Sequence, residues 1–219
     1  GRGRGVGAGY GDNRVSAQET KSFTVSGSPN VNLATFDGSV TVHGWDRSEV
    51  KYIVTKRAVD EEGLGQIGIR ADQQGSSVSV IATSDINNSS AELEVWVPRK
   101  TSLHVSSDDG GLKVEGVTGD ITLRTGDGGI DVYDGAGQLQ LNTGDGQISV
   151  FKFDGELDAR TGDGAIRLHG NFNALTARTG DGAISLTVPS GSNFTIETNA
   201  FGDVTNYGLT LAEDMAPSK

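Results

Sequence analysis

The chain has 219 residues, no cysteine, and 29 Asp and Glu against 18 Lys and Arg, for a net charge of −11. The missing thiols exclude a disulfide framework and a thiol catalyst. The acidic balance argues against a nucleic-acid partner, which needs a basic footprint. Thirty-three glycines against seven phenylalanines suit turn-dense β structure better than a core of large side chains.

Residues 1–20 read as a flexible Gly- and polar-rich leader, whose Arg-Gly start is the one basic spot. The chain begins at Gly1 rather than Met, as a processed or engineered fragment does. No stretch has the apolar length of a transmembrane helix, and no signal peptide is present. Membrane contact is therefore expected only through segments outside this chain. From Lys21 the alternation of apolar and polar residues predicts strands at 21–25, 31–35, 39–43, 49–55, 65–71, 76–83 and 91–97. Segments 60–63 and 85–90 read as exposed loops, and no helical period stands out.

From residue 107 the chain becomes regular. Thr-Gly-Asp-Gly occurs four times at a strict 18-residue spacing, at Thr125–Gly128, Thr143–Gly146, Thr161–Gly164 and Thr179–Gly182, with a degenerate copy at Ser107–Gly110. The same period carries apolar columns: Leu112, Ile130, Ile148, Ile166, Ile184, then Val114, Val132, Val150, Leu168, Leu186. Half a period away run Leu103, Ile121, Leu139, Leu157 and Leu175. Fixed-period similarity means that each unit stacks on its neighbour. Within one period, Gly-Asp-Gly makes a corner through glycine's freedom at positive φ and an Asx-turn by Asp. Two alternating strands follow, facing each other across a thin core. A three-sided hexapeptide helix fails, because the positions six and twelve after Ile130 are Ala136 and Asn142. The column Ser107, Thr125, Thr143, Thr161, Thr179 points inward by alternation, where its hydroxyls can bond one another or the corner backbone. An inward file does not fit ice binding.

The expected fold is thus all-β: a single-domain parallel β-solenoid, β-helix-like, with 18-residue coils advancing about 4.8 Å each. Residues 21–106 are expected to form longer irregular coils, beginning with Asp37–Val42, which repeats the turn-plus-strand unit of Asp109–Val114. Regular coils occupy 107–188, a closing coil 189–211, and a tail 212–219.

These features resemble a bacterial candidate-adhesin domain family of unknown function. The resemblance rests on Phe23-Thr24-Val25, Asp37–Gly44, Val95-Trp96-Val97-Pro98 and the Thr-Gly-Asp-Gly ladder, and covers roughly residues 22–206. It implies exported or membrane-tethered envelope proteins, hence an extracytoplasmic place in the periplasm or at the cell surface. It brings no catalytic motif.

Two surface features stand out. The turn carboxylates Asp109, Asp127, Asp145, Asp163 and Asp181 lie one coil apart, where neighbours repel by roughly 0.8 kcal/mol in water. They are the candidate metal ligands, for Ca2+ as the one cofactor considered. The template of calcium β-rolls argues against that, because its essential Asp position is filled by Ile130, Ile148, Ile166 and Ile184. Turn chemistry, with Arg124, Arg160 and Arg178 relieving the repulsion, is the simpler expectation. The second feature is a stripe of Tyr133, Phe151 and His169, with Phe153 nearby, which is either a ligand or partner surface or a set of rings folded over the corner. Trp45 and Trp96 are expected in the core or a groove. His43, His104 and His169 lack metal-site spacing, and the equivalent Asp residues offer no separated acid and base. No catalytic residue is assigned. The expected function is a non-enzymatic binding, scaffolding or adhesin-like surface, with a protein or glycan partner and possible end-to-end self-association. An envelope-stress sensor binding a peptide and a calcium-stabilised β-roll are the alternatives.

Overall fold

The computed structural model describes residues 14–189. The expected tail and all of the expected closing coil but Pro189 lie outside them, as do residues 1–13 of the expected leader. In chain order the elements are β1 Val15–Thr24, β2 Asn30–Thr35, β3 Val40–Trp45, β4 Glu49–Ala58, α1 Glu61–Gln66, β5 Gly68–Gln74 and β6 Ser77–Thr83. There follow β7 Ser90–Pro98, β8 Ser102–Ser107, β9 Leu112–Glu115, β10 Thr118–Thr125, β11 Ile130–Asn142, β12 Ile148–Arg160, β13 Ile166–Arg178 and β14 Ile184–Thr187.

The period works as the columns require. Ile130 pairs with Ile148, Ile148 with Ile166 and Ile166 with Ile184, all in parallel register. Leu139, Leu157 and Leu175 pair likewise on the opposite face. Most of these side chains are almost fully buried, and burying each stabilises by about 1.5–3 kcal/mol. Face one of the solenoid holds β9, the first halves of β11 to β13, and β14. Face two holds β8, β10 and the second halves.

The Thr-Gly-Asp-Gly corner sets the pitch. A Cβ on Gly144 would stand 2.5 Å from the Gly126 carbonyl oxygen of the coil before it, and one on Gly162 2.5 Å from that of Gly144. Only glycine lets consecutive corners approach this closely. The hydroxyl file locks them. Thr143 Oγ1 donates to the Gly128 carbonyl at 2.8 Å and accepts from its own corner's Gly146 N–H at 3.2 Å. Thr161 and Thr179 repeat both bonds, and Thr125 donates to the Gly110 carbonyl at 2.8 Å. The hydroxyls therefore bond the turn backbone, and they supply the corner's cap in place of the Asx-turn.

The first half departs from chain order. Val40 pairs with Leu112 and Val31 with Leu103, so the β2–β3 coil lies directly against the β8–β9 coil. Its other side is covered by the β6–β7 coil, with Val31 against Val78 and Val40 against Leu93. The segment between β3 and β8 folds around the first coil instead of continuing past it. Ser107 Oγ donates to the Gly38 carbonyl at 3.1 Å, and Thr35 Oγ1 to that of Ala91 at 2.7 Å, so the hydroxyl file runs through this out-of-order stack.

Beyond β7 and β6 the pairing turns antiparallel: β4 on β7, β1 on β4, and β5 on β6. The region expected as irregular coils thus includes this antiparallel cap. The expected leader boundary at residue 20 falls inside β1, which pairs with β4 along its whole length and forms the exposed edge of the sheet. The expected 60–63 loop is the start of α1. Asp60 caps it by accepting from Gly63 N–H at 2.8 Å, with Glu61 and Glu62 in the first turn. The helix has six residues, too few for a period to show, yet it buries Leu64 beside Ile67. The cap is polar at its rim. Tyr52 is fully buried, and its hydroxyl donates to Glu19 at 2.6 Å. Polar end units are what keep stacked repeats from adding further copies.

Candidate functional site

Face one carries the feature of interest. Its strands lie in the order β1, β4, β7, β3, β9, β11, β12, β13, β14. Register aligns Lys51, Trp96, His43, Glu115, Tyr133, Phe151 and His169 in one outward row. The inward neighbours Val95, Val42, Val114, Val132, Val150 and Leu168 are buried, so the row is held on a packed sheet.

Rings contact one another at two places along the row. His43 stacks on Trp96 with centroids 5.5 Å apart and planes at 28°, and Trp45 lies 6.3 Å from Trp96. Phe151 and His169 lie 4.7 Å apart, with His169 Nδ1 shielded and without a hydrogen bond. Four cations cover four rings: Lys51 over Trp96, Arg47 over Trp45, Lys113 over Tyr133 and Lys152 over Phe151. Between Trp96 and Tyr133, His43 bridges two carboxylates, Nε2 to Glu94 at 3.4 Å and Nδ1 to Glu115 at 3.8 Å.

Tyr133, Phe151 and His169 thus stand in register on the outer surface, rather than folded over the corner to close the core. Phe151 is 44% exposed, whereas Phe153, two residues on, is 1% exposed. The intervening Lys152 has φ of 57°, which breaks strict alternation and turns Phe153 inward. There its ring lies against Gly135, whose Cβ would stand 3.3 Å from it. Trp45 and Trp96, expected in the core or a groove, are half-buried on the outer surface and extend the row.

The carboxylates Asp109, Asp127, Asp145, Asp163 and Asp181 are exposed along the corner at the other edge of face one. Among the described residues no group of three His, Cys, Asp or Glu is placed to hold a metal ion. Arg160 does not relieve this column: its guanidinium forks onto Asp158 of its own strand at 2.8 and 3.0 Å. His104 stands on face two, between Asn32 and Thr122, away from the other two histidines. Two surface recesses of the described residues lie against Ile69 and Ile81 and between Thr41, Ile53 and Glu94. Small-molecule sites are usually concave and bury most of the ligand.

Sequence reasoning found the lower part of the row and missed Lys51, Trp96, His43 and Glu115 as its upper part. One signal was present. Asp37–Gly44 echoes the unit at Asp109, and the same offset carries His43 onto Glu115, one period before Tyr133. Nothing in the spacing brings Trp96 there.

Fold and surface together define a parallel β-solenoid with a ring-bearing outer face and an antiparallel cap at one end. The chain belongs to the Toastrack DUF4097 family, which matches residues 14–207. Among solved structures it is similar to a candidate cell adhesion protein from Clostridium sporogenes, at 13% identity and a TM-score of 0.39, covering 80% of this chain and 100% of that one. It is also similar to candidate adhesins from Parabacteroides merdae and Parabacteroides distasonis. These show 11% and 12% identity and TM-scores of 0.28 and 0.27, covering 78% of this chain in each case and 96% and 97% of theirs. No curated protein matches the chain. Among the described residues no helix is long and apolar enough to cross a membrane.

Proposed function

We propose that this domain is a non-enzymatic binding and scaffolding surface of the bacterial cell envelope, and that the outward row of face one makes the contact. The observation behind this reading is the alignment of Trp96, His43, Tyr133, Phe151 and His169 across separate strands of one rigid sheet. Trp, Tyr, Phe and Arg are enriched where proteins bind macromolecules. A row held at the strand spacing can add weak contacts along a long partner without ordering cost on its own side. The non-enzymatic part of the proposal rests on the turn carboxylates, which are equivalent, exposed and without a neighbouring base to divide acid and base roles. The envelope location rests on the family resemblance alone.

The test compares labelled wild-type domain with Y133A/F151A for retention on bacterial cells and washed envelope fractions, with both proteins checked for equal folding by circular dichroism. The double variant is expected to lose most of the retention. Equal retention of the two proteins would refute the row as the contact surface. Fractionation of a tagged chain tests location, and recovery in the cytoplasm would remove that part.

A further inference from the structure

We infer that this domain carries sites of spontaneous backbone isomerisation at Asp37 and Asp127, and that the hydroxyl file shields the other corners from the same reaction. The outward row plays no part in this. Asp-Gly occurs eight times in the chain. Two copies, at Asp134 and Asp154, lie within β11 and β12. The other six place an exposed carboxylate at a solenoid corner: Asp37, Asp109, Asp127, Asp145, Asp163 and Asp181. Asp37 belongs with the rest because Thr35 pairs with Ser107, and a Cβ on Gly110 would meet the Gly38 carbonyl.

An Asp-Gly link can close on itself. The glycine nitrogen bonds to Asp Cγ and gives up its proton, and a carboxyl oxygen leaves as water. Water then reopens the five-membered imide at either carbonyl. One opening restores Asp; the other leaves isoaspartate, whose main chain runs through Cγ and is one carbon longer. Nothing is oxidised or reduced, and water is the only co-reactant. Glycine as the second residue has no Cβ to hinder the approach.

The corners differ in the state of the attacking nitrogen. Gly110 N–H donates to Ser107 Oγ at 2.9 Å, and Gly146 N–H to Thr143 Oγ1 at 3.2 Å. Gly164 and Gly182 donate likewise to Thr161 and Thr179, at 3.3 and 3.1 Å. To react, each of these amides must break that bond and swing out of its corner. Among the described residues no group accepts the N–H of Gly38 or Gly128. There the file hydroxyl makes only its donor bond, Thr35 to the Ala91 carbonyl and Thr125 to that of Gly110.

Placement of the carboxylate does not separate Asp127 from Asp145. A Cβ on Gly144 would lie 2.8 Å from Asp127 Oδ1, and one on Gly162 2.7 Å from Asp145 Oδ1, so both rest on the following corner. The amide bond is what divides them. Conversion at Asp127 would lengthen the main chain where the next corner already leaves no room for a methyl group, and so loosen the stack at that coil.

The experiment ages the folded domain at neutral pH and physiological temperature, beside a sample unfolded in guanidinium chloride. Isoaspartate at each corner is measured by peptide mapping with electron-transfer fragmentation. In the folded protein Asp37 and Asp127 should convert roughly twofold to tenfold faster than Asp109, Asp145, Asp163 and Asp181, the factor that one hydrogen bond supplies. In guanidinium chloride the six rates should converge. T143V should move Asp145 into the fast class with Asp109 and Asp163 unchanged, and T161V should do the same at Asp163 alone. T143S, which keeps the hydroxyl, should leave Asp145 slow. Equal rates at the six corners of the folded protein overturn the inference. So does a T143V protein whose Asp145 stays slow, or one in which all corners quicken together, the mark of global unfolding.

Discussion

Replacing Thr143 by valine tests the hydroxyl file with little change of shape. Thr143 is 3% exposed; its hydroxyl donates to the Gly128 carbonyl and accepts from Gly146 N–H. Valine fills the same volume, so packing is nearly conserved and the two bonds are what is lost. Each such bond contributes about 0.5–1.5 kcal/mol net, and a shielded partner left unsatisfied costs about 1–3 kcal/mol. Valine's better burial and strand preference offset part of this, and about 2 kcal/mol of destabilisation is the expected balance. For a chain of this length that lowers the melting temperature by about 4–8 °C, measured by calorimetry with urea unfolding alongside. Thr143→Ser keeps the hydroxyl and loses one methyl group, at about 1 kcal/mol, and should fall between the two. A T143V protein as stable as wild type, or a T143S protein less stable than T143V, would mean that the hydroxyl file does not hold the corners together.

Gly144→Ala should destabilise by about 1–3 kcal/mol or more, because the added Cβ meets the Gly126 carbonyl. Gly65→Ala, in α1 with nothing within 4 Å, should stabilise by up to about 1 kcal/mol; thermal melts of the two separate close approach from chain freedom. Phe153→Ala should cost about 3–5 kcal/mol and Phe151→Ala well under half of that, given their burial; equal losses in urea unfolding would contradict the inward turn after Lys152. Tyr52 provides a pH test. Burial, reinforced by the hydrogen bond and charge of Glu19, holds its hydroxyl well above the ordinary value. Above pH about 10 the unfolded chain gives up this proton while the folded chain keeps it, so stability should fall as pH rises from there. Tyr52→Phe should remove that fall, and ultraviolet titration of the native protein should find one of its four tyrosines resisting ionisation until the protein unfolds.

Much of the regular half was legible because each coil repeats the local environment of the last. Ile130, Ile148 and Ile166 share a pattern of neighbours, so an 18-residue offset names the strand partner directly. The cap was not legible. Strands such as β4 and β5 alternate in the same way whether their partners run parallel or antiparallel, and α1 is shorter than any readable period. The corner's cap was misread because Asp and Thr both favour turns; their choice depends on which side chain faces inward beside its own corner's amide and the preceding corner's carbonyl. Tyr133 and Phe151 were found as a stripe, whereas Phe153 was grouped with them because a left-handed residue between two phenylalanines leaves no mark in the sequence.

By itself, the sequence determined a two-faced solenoid of 18-residue coils, glycine at the corners and an inward hydroxyl file, since nearest-neighbour packing at a fixed offset follows from periodicity. Only the tertiary structure decided that the β2–β3 coil sits between the β6–β7 and β8–β9 coils, and that Trp96 and His43 thereby join Tyr133, Phe151 and His169 in one row. The physical reason is that strand edges pair with whatever compatible edge is free. An insertion with no period of its own has its place chosen by the unpaired edge of the first coil, and not by its position along the chain.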